Sequence, residues 1–181
     1  MGSLALAGCE RDRPASAETA IPRSLQTRYF PPIGWTWGEV AVNGAPPLRY
    51  GVAGPPVAAR GQVLILPGQG EPAEAWFETA NALVERGYVV WAMDWASQGG
   101  SGRWSRTADR LYVPSVDLDV AALRRLVAEV VRPKDRAPLV LVGDGFGAQV
   151  ALRALSGGLP EVAGAVLTHP ALTSNDSRAA A

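Results

Sequence analysis

The chain has 181 residues, of which 48% are hydrophobic, and this is enough apolar sequence for one packed domain. Its 17 acidic and 17 basic side chains balance, so no broad positive field is present to hold nucleic acid or an anionic membrane. One cysteine and one histidine are too few for the usual zinc ligand sets, so neither a metal nor a cofactor is predicted. No apolar run approaches the roughly 20 residues that cross a bilayer.

Residues 1–30 are predicted to form a separate tail, in which a short apolar piece ends at Cys9 and a polar segment follows. Leu6-Ala7-Gly8-Cys9 resembles the lipobox of bacterial lipoproteins, in which the cysteine is lipidated. The resemblance implies a membrane tether through Cys9 and a place in the bacterial cell envelope. However, no basic residue precedes the apolar piece, and it is shorter than a signal core of about 7 to 15 residues. An incidental apolar end with one unpaired thiol, in a cytoplasmic protein, is the alternative.

The first half of the domain reads as strands and one helix. From Trp35 the stretches WTWGEVAVNG and PPLRYGVAG predict two short strands joined by a turn. The continuous apolar run from Val63 to Leu66 predicts a central strand covered on both faces, and a glycine-rich turn follows it. Apolar residues then recur at helical spacing until Gly87, which is placed to end a helix. Tyr88 to Met93 predicts another buried strand.

The second half begins with a long polar loop, and loops of that length usually serve a site. Apolar residues from Val116 predict a helix that Pro133 must end. A strand from Leu139 to Val142, a helix from about Phe146 to Leu155 and a strand in AGAVLT follow. This alternation predicts a mostly parallel sheet with helices on both faces. The domain is assigned to residues 31–172, with a polar tail over residues 173–181.

The glycine-rich stretch VLVGDGFGAQVAL fits two known strand-to-helix turns. Gly143 to Ala148 satisfies the dinucleotide pattern G-x-G-x-x-[G/A], but such a site also needs an Asp or Glu about 20 residues later. Here the next strand ends in Leu167-Thr168-His169-Pro170, which contains no carboxylate. The second turn is the nucleophile elbow G-x-S-x-G, and the sequence favours it. In that register position 145 is the nucleophile, and it is glycine.

A wider resemblance supports the elbow. The stretches LPGQGEPAEAWFETANALVERGYVVWAMDWASQGGSGR and LVGDGFGAQVAL, with Asp119-Val120 at a helix start between them, resemble the α/β-hydrolases. They look like the lysophospholipase and monoacylglycerol lipase branch, which is of the serine aminopeptidase type. The resemblance runs from about Val63 to Leu172 and covers the N-terminal part of the family's domain. It implies an α/β-hydrolase-type sheet truncated after about the sixth strand, and a small-molecule lipid or ester as the ligand.

The resemblance also implies roles for single residues. The backbone N–H groups of Gln69 and Phe146 would form the oxyanion hole, and Gly145 stands where the family has its catalytic serine. Trp95 and Trp104, in the loop after the fourth strand, are candidates to line an acyl pocket.

Two positions depart from the family's D-x-R-G-x-G-x-S loop. Ala96 and Ser97 replace its arginine and first glycine, which puts the geometry of this loop in doubt.

The catalytic set is incomplete in the sequence. A serine hydrolase needs a hydroxyl, a carboxylate and a histidine, which this fold supplies in that order along the chain. The hydroxyl is absent at Gly145, and the other two groups normally follow strands that this chain lacks. His169 is interpreted as a strand-end residue. Asp144 lies one residue before position 145 and is expected to point away from the nucleophile position. The sequence therefore predicts no useful esterase activity. The alternative is a noncatalytic lipid- or partner-binding protein held at the envelope through Cys9.

Overall fold

The computed structural model describes residues 29–105, 112–131 and 137–170. Cys9 and both predicted tails lie outside these residues, apart from the last two positions of the N-terminal tail. The six strands are Thr36–Val42 (β1), Ala45–Ala53 (β2), Gly61–Leu66 (β3), Tyr88–Met93 (β4), Leu139–Asp144 (β5) and Val162–Thr168 (β6). The helices are Phe77–Glu85 (α1), Val116–Leu126 (α2) and Gly145–Ser156 (α3). A short 3₁₀ turn, Ala73–Trp76, precedes α1, and a π-helical turn, Val127–Val131, continues α2.

The strands form one sheet in the order β1-β2-β4-β3-β5-β6. β3, β4, β5 and β6 run parallel, while β2 pairs antiparallel with both β1 and β4. The predicted hairpin and the central position of β3 are therefore confirmed. β5 extends to Asp144, two residues past its predicted end, and α3 begins directly at Gly145.

Helices cover both faces of the sheet, as the alternation of elements predicted. Leu64 and Leu66 of β3 belong to the larger core, which also contains buried residues of α2 and α3. Val63 and Ile65 point to the opposite face and belong to a smaller core that includes Ala80 of α1. Because both faces of β3 are covered, the strand needs an unbroken apolar sequence, which it has.

α2 is fixed at its start and tied to α3 near its end. The Ser115 hydroxyl accepts a hydrogen bond from the Asp117 N–H at 3.2 Å and caps the first turn of α2. At the other end, the Arg124 guanidinium donates to the carbonyl oxygen of Ala154 at 3.2 Å. Carbonyls in the last turn of a helix lack partners within that helix, so this contact satisfies one of them in α3 and holds the two helices together.

β6 is the last described element, and it leaves an edge of the sheet open. Within the described residues it pairs with β5 alone, and Val166 is 57% exposed. Open, apolar strand edges favour association with other strands.

Asp119 is an ionisable side chain buried in α2. It is only 3% exposed, and its Oδ2 atom has no hydrogen-bond partner among the described residues. Burial disfavours the charged carboxylate, and it raises the pKa of Asp119 to about 7 from an ordinary value of 3.8.

We expect Asp119→Asn to stabilise the chain near pH 8 and to change its stability little near pH 4. The pKa of Asp119 is about 7 in the folded chain and 3.8 in the unfolded chain. Between these two pH values the folded chain carries a proton on Asp119 that the unfolded chain has lost. Stability therefore falls as the pH rises through that window and is level above about pH 7. At about 1.4 kcal/mol for each unit of pKa difference, the shift from 3.8 to about 7 corresponds to a gain from Asn near pH 8 of about 4 kcal/mol. Urea unfolding of both proteins across this pH range measures it.

Asp117→Asn is the matched control, because Asp117 lies in the same helical turn with its side chain 81% exposed. Its effect on unfolding should be small across the whole range. A gain in Asp119→Asn that does not depend on pH would contradict the buried, protonated carboxyl.

Candidate functional site

The junction between β5 and α3 bends sharply at Gly145. This residue has φ 48, in the left-handed region that side-chain-bearing residues rarely adopt. A Cβ atom added here would meet only the Cα atom of Gly68, at 4.0 Å. Position 145 therefore projects into open space at the carboxyl ends of the parallel strands. We call this position the crest.

The glycines on either side of the crest are required for a different reason. A Cβ atom on Gly147 would collide with the carbonyl oxygen of Leu66, and one on Gly143 would lie 2.9 Å from the backbone nitrogen of Ala148. These two glycines allow α3 to approach β3 and β5 closely. Small residues are therefore needed on both sides of the crest.

The turn after β3, residues 67–70, faces the crest through Gly68. Side chains hold three of its backbone groups: Trp95 Nε1 donates to the Pro67 carbonyl at 2.8 Å, Glu71 accepts from the Gly68 N–H at 3.0 Å, and Gln98 accepts from the Gly70 N–H. Pro67 has no N–H, and the N–H of Gln69 makes no hydrogen bond to any described residue. Gln69 therefore carries the one uncommitted N–H in this turn.

A second donor lies on the other side of the crest. Phe146 is the second residue of α3, and N–H groups in the first turn of a helix have no acceptor within it. The Asp144 side chain does not cap this turn. Gly68 faces Gly145 at the crest. Gln69 directly follows Gly68 and Phe146 directly follows Gly145, so each donor lies next to one member of this facing pair.

The predicted pocket residues lie in different surroundings. Trp95 is completely buried, and its ring packs edge-to-face against Phe146 with centroids 5.4 Å apart. It supports the crest from within the core, and in the described chain it offers no surface to a ligand. Trp104 is partly buried against the larger core. An acyl contact therefore stays a prediction for Trp104, whereas the burial of Trp95 leaves it no surface for one.

The loop after β4 is far more buried than its polar sequence suggested. Asp94 is fully buried, and its carboxylate accepts hydrogen bonds from the N–H groups of Ala73 at 2.7 Å and Gly100 at 2.8 Å. The guanidinium of Arg49 donates to the same carboxylate at 2.6 Å and also pairs with Glu74 at 2.8 Å. This charged cluster has enough partners to be buried, and it anchors the start of the loop.

Ser97 stands where the family pattern has a glycine, and its backbone adopts a conformation typical of glycine. It adopts φ 68, a conformation that glycine enters without strain. Its N–H donates to the carbonyl of Gly102 at 2.8 Å, and its hydroxyl accepts from the N–H of Trp104 at 3.1 Å. These bonds hold the serine in the strained conformation.

Asp144 lies beside the crest and faces β6. Its Oδ1 atom accepts a hydrogen bond from the Thr168 hydroxyl at 2.5 Å and lies 3.3 Å from Nδ1 of His169. The bond from Thr168, aided by His169, holds the pKa of Asp144 below its ordinary value. His169 directly follows β6 and its side chain is 89% exposed, as expected of a strand-end residue.

Comparison with known proteins decides between the two interpretations of the glycine turn. The sequence profile of the family described as serine aminopeptidase, S33, matches residues 57–180. The chain belongs to this α/β-hydrolase family. The turn from Gly143 to Gly147 is therefore a hydrolase elbow, and the dinucleotide interpretation is wrong. No curated protein sequence matches the chain.

Solved structures share this fold. The thioesterase domain from the curacin biosynthetic pathway aligns with a TM-score of 0.63 and 24% identity, covering 79% of this chain and 49% of that one. The α/β-hydrolase GrgF from Penicillium aligns at 0.63 and 19%, covering 75% and 46%. Mouse α/β-hydrolase domain-containing protein 10 aligns at 0.55 and 16%, covering 73% and 48%. The chain thus spans about half the length of these structures.

Proposed function

We propose that this chain recognises the acyl carbonyl of a carboxylic ester and does not cleave the ester itself. The observation that carries the proposal is the crest. It has the backbone bend and the free space of a nucleophile position, but Gly145 has no hydroxyl there.

The N–H groups of Gln69 and Phe146 fit the recognition of a carbonyl oxygen. Donors of this kind face the place where negative charge develops, and in known hydrolases the loss of one costs about 3 kcal/mol of transition-state stabilisation. Backbone donors do not depend on the side chain, so they persist where the serine is lost. An oxyanion hole without a nucleophile leaves only weak residual catalysis.

Lysophospholipids and monoacylglycerols are the ester class that we propose for this lineage. The resemblance of the sequence to that branch of the hydrolases supports it. The ring of Phe146, which is only partly buried and packs on Trp95, adds an apolar surface beside the crest. Such a surface suits an acyl chain next to a recognised carbonyl.

Acylation by an activated ester tests this proposal. We expect the unmodified chain and Gly145→Ala to hydrolyse p-nitrophenyl butyrate at most weakly, as an oxyanion hole without a nucleophile does. Gly145→Ser places a hydroxyl beside both donors, so in an alkaline buffer this variant should slowly acquire a butyryl group at position 145, seen by mass spectrometry of the peptide. The serine oxygen attacks the ester carbonyl, p-nitrophenolate leaves, and the buffer base takes the hydroxyl proton, since this chain supplies no histidine to accept it. Gly145→Ala controls for the strain of a side chain at the crest. Efficient turnover by the unmodified chain, well above this weak residual rate, or no adduct on a folded Gly145→Ser protein, would contradict the proposal.

A second proposal concerns localisation, and its support is the lipobox-like sequence that ends at Cys9. A lipid on this cysteine would hold the chain at the envelope as a noncatalytic lipid- or partner-binding protein. None of the described helices has the length and apolar character needed to span a membrane.

A further inference from the structure

We propose that Gln98 is a positioning residue that sets the direction of the Gln69 N–H. This inference rests on the proposed function of the crest, because it assigns Gln69 a ligand carbonyl as its acceptor. Gln98 comes from the loop after β4, and its side chain reaches the neighbouring turn after β3.

The contact joins a buried side chain to the exposed end of a turn. Gln98 is 2% exposed, and its Oε1 atom accepts from the N–H of Gly70 at 2.5 Å. Gly70 has φ 81, so the backbone reverses in the left-handed region immediately after Gln69. Fixing the N–H of Gly70 therefore fixes one end of the peptide segment that carries the Gln69 N–H.

The other end of the segment is held from the same loop. Trp95 donates to the carbonyl of Pro67, and Gln98 itself follows Trp95 through a turn in which the Gln98 N–H donates to the Trp95 carbonyl at 3.0 Å. One short loop thus holds the turn at both ends and leaves its middle N–H free. A donor that is fixed before a ligand arrives needs no reorganisation, which is what makes such groups effective.

One atom of the Gln98 side chain destabilises the folded chain. Its Nε2 atom is buried and has no partner among the described residues. A buried unsatisfied donor destabilises a folded chain, so packing alone favours an apolar residue of the same length. The accepted bond from Gly70 is the contact that an apolar residue could not supply.

Amide hydrogen exchange on the full chain tests the hydrogen bond. We expect Gln98→Met to speed exchange at Gly70 by about tenfold, the effect of losing one ordinary hydrogen bond, and to shift the amide resonance of Gln69. Gln98→Glu keeps an acceptor oxygen at the same reach and should restore protection at Gly70. Gln62→Met is the matched control, since Gln62 accepts from Trp91 Nε1 at 2.9 Å at the opposite end of β3. Unchanged Gly70 exchange in Gln98→Met, or equal loss in Gln98→Glu, would overturn the assignment.

Acylation kinetics test the consequence for the site. In the Gly145→Ser background, Gln98→Met should slow the butyrylation rate at saturating ester by about tenfold, with little change in the ester concentration for half-maximal rate. Gln98→Glu should recover the rate. If Gly145→Ser itself is not acylated, the proposed function fails, whereas the exchange experiment still decides the role of Gln98. Equal rates with methionine and glutamine at position 98 would overturn the positioning role.

Discussion

Gly147→Ala is expected to lower the free energy of unfolding by about 3 kcal/mol or more, the upper end of the cost of overpacking a core. The added methyl group would overlap the carbonyl oxygens of Leu66 and Pro67, at the end of the central strand. A flexible side chain could move aside, but a backbone carbonyl in a paired strand cannot. α3 would have to withdraw from β3, and the crest would move with it.

Gly164→Ala is the matched control for this substitution. Gly164 lies in β6 and a Cβ atom there would meet nothing within 4 Å, so its effect on unfolding should be within about 0.5 kcal/mol. Urea unfolding of both variants, followed by tryptophan fluorescence, measures the difference. Similar midpoints for the two variants would show that α3 does not approach β3 as described.

Sequence patterns were sufficient to predict the helices and strands, because the residues that specify each of these elements lie close together in the chain. The unbroken apolar run from Val63 to Leu66 predicted a strand covered on both faces, and that strand is the centre of the sheet. The spacing of Gly143, Gly145 and Gly147 predicted the elbow. Gly145 supplies the positive φ of the bend, and the other two glycines leave room for neighbouring backbone atoms. Requirements of this local kind can be recognised from the pattern of residue types alone.

The loop after β4 could not be predicted in the same way. The sequence showed Asp94 only as the first residue of a long polar loop. Its partner Arg49 lies 45 positions away and comes close only when β2 pairs with β4. Trp95 looked like a ligand-facing aromatic residue, yet its indole N–H finds the Pro67 carbonyl in the core. Contacts between residues that are distant in the sequence decide whether polar groups such as these are buried, and the periodicity of apolar residues does not reveal those contacts.

The reactivity of a thiol at the crest tests the central claim most directly. Gly145→Cys in a Cys9→Ser background gives the chain one thiol, at the start of α3. Ser156→Cys in the same background puts one on an exposed residue at the end of that helix. The positive end of a helix favours the thiolate and the negative end disfavours it. The carboxylate of Asp144 opposes this effect, although it already accepts a hydrogen bond from Thr168.

We expect iodoacetamide to alkylate the thiol at position 145 about tenfold faster near pH 7 than the thiol at position 156. The rate should also rise at a lower pH for position 145, because the helix start lowers the pKa of the introduced thiol. Melting curves of both proteins check that they are folded. A thiol at position 145 that is protected from alkylation, or that reacts no faster than the one at position 156, would contradict an open crest at the start of α3.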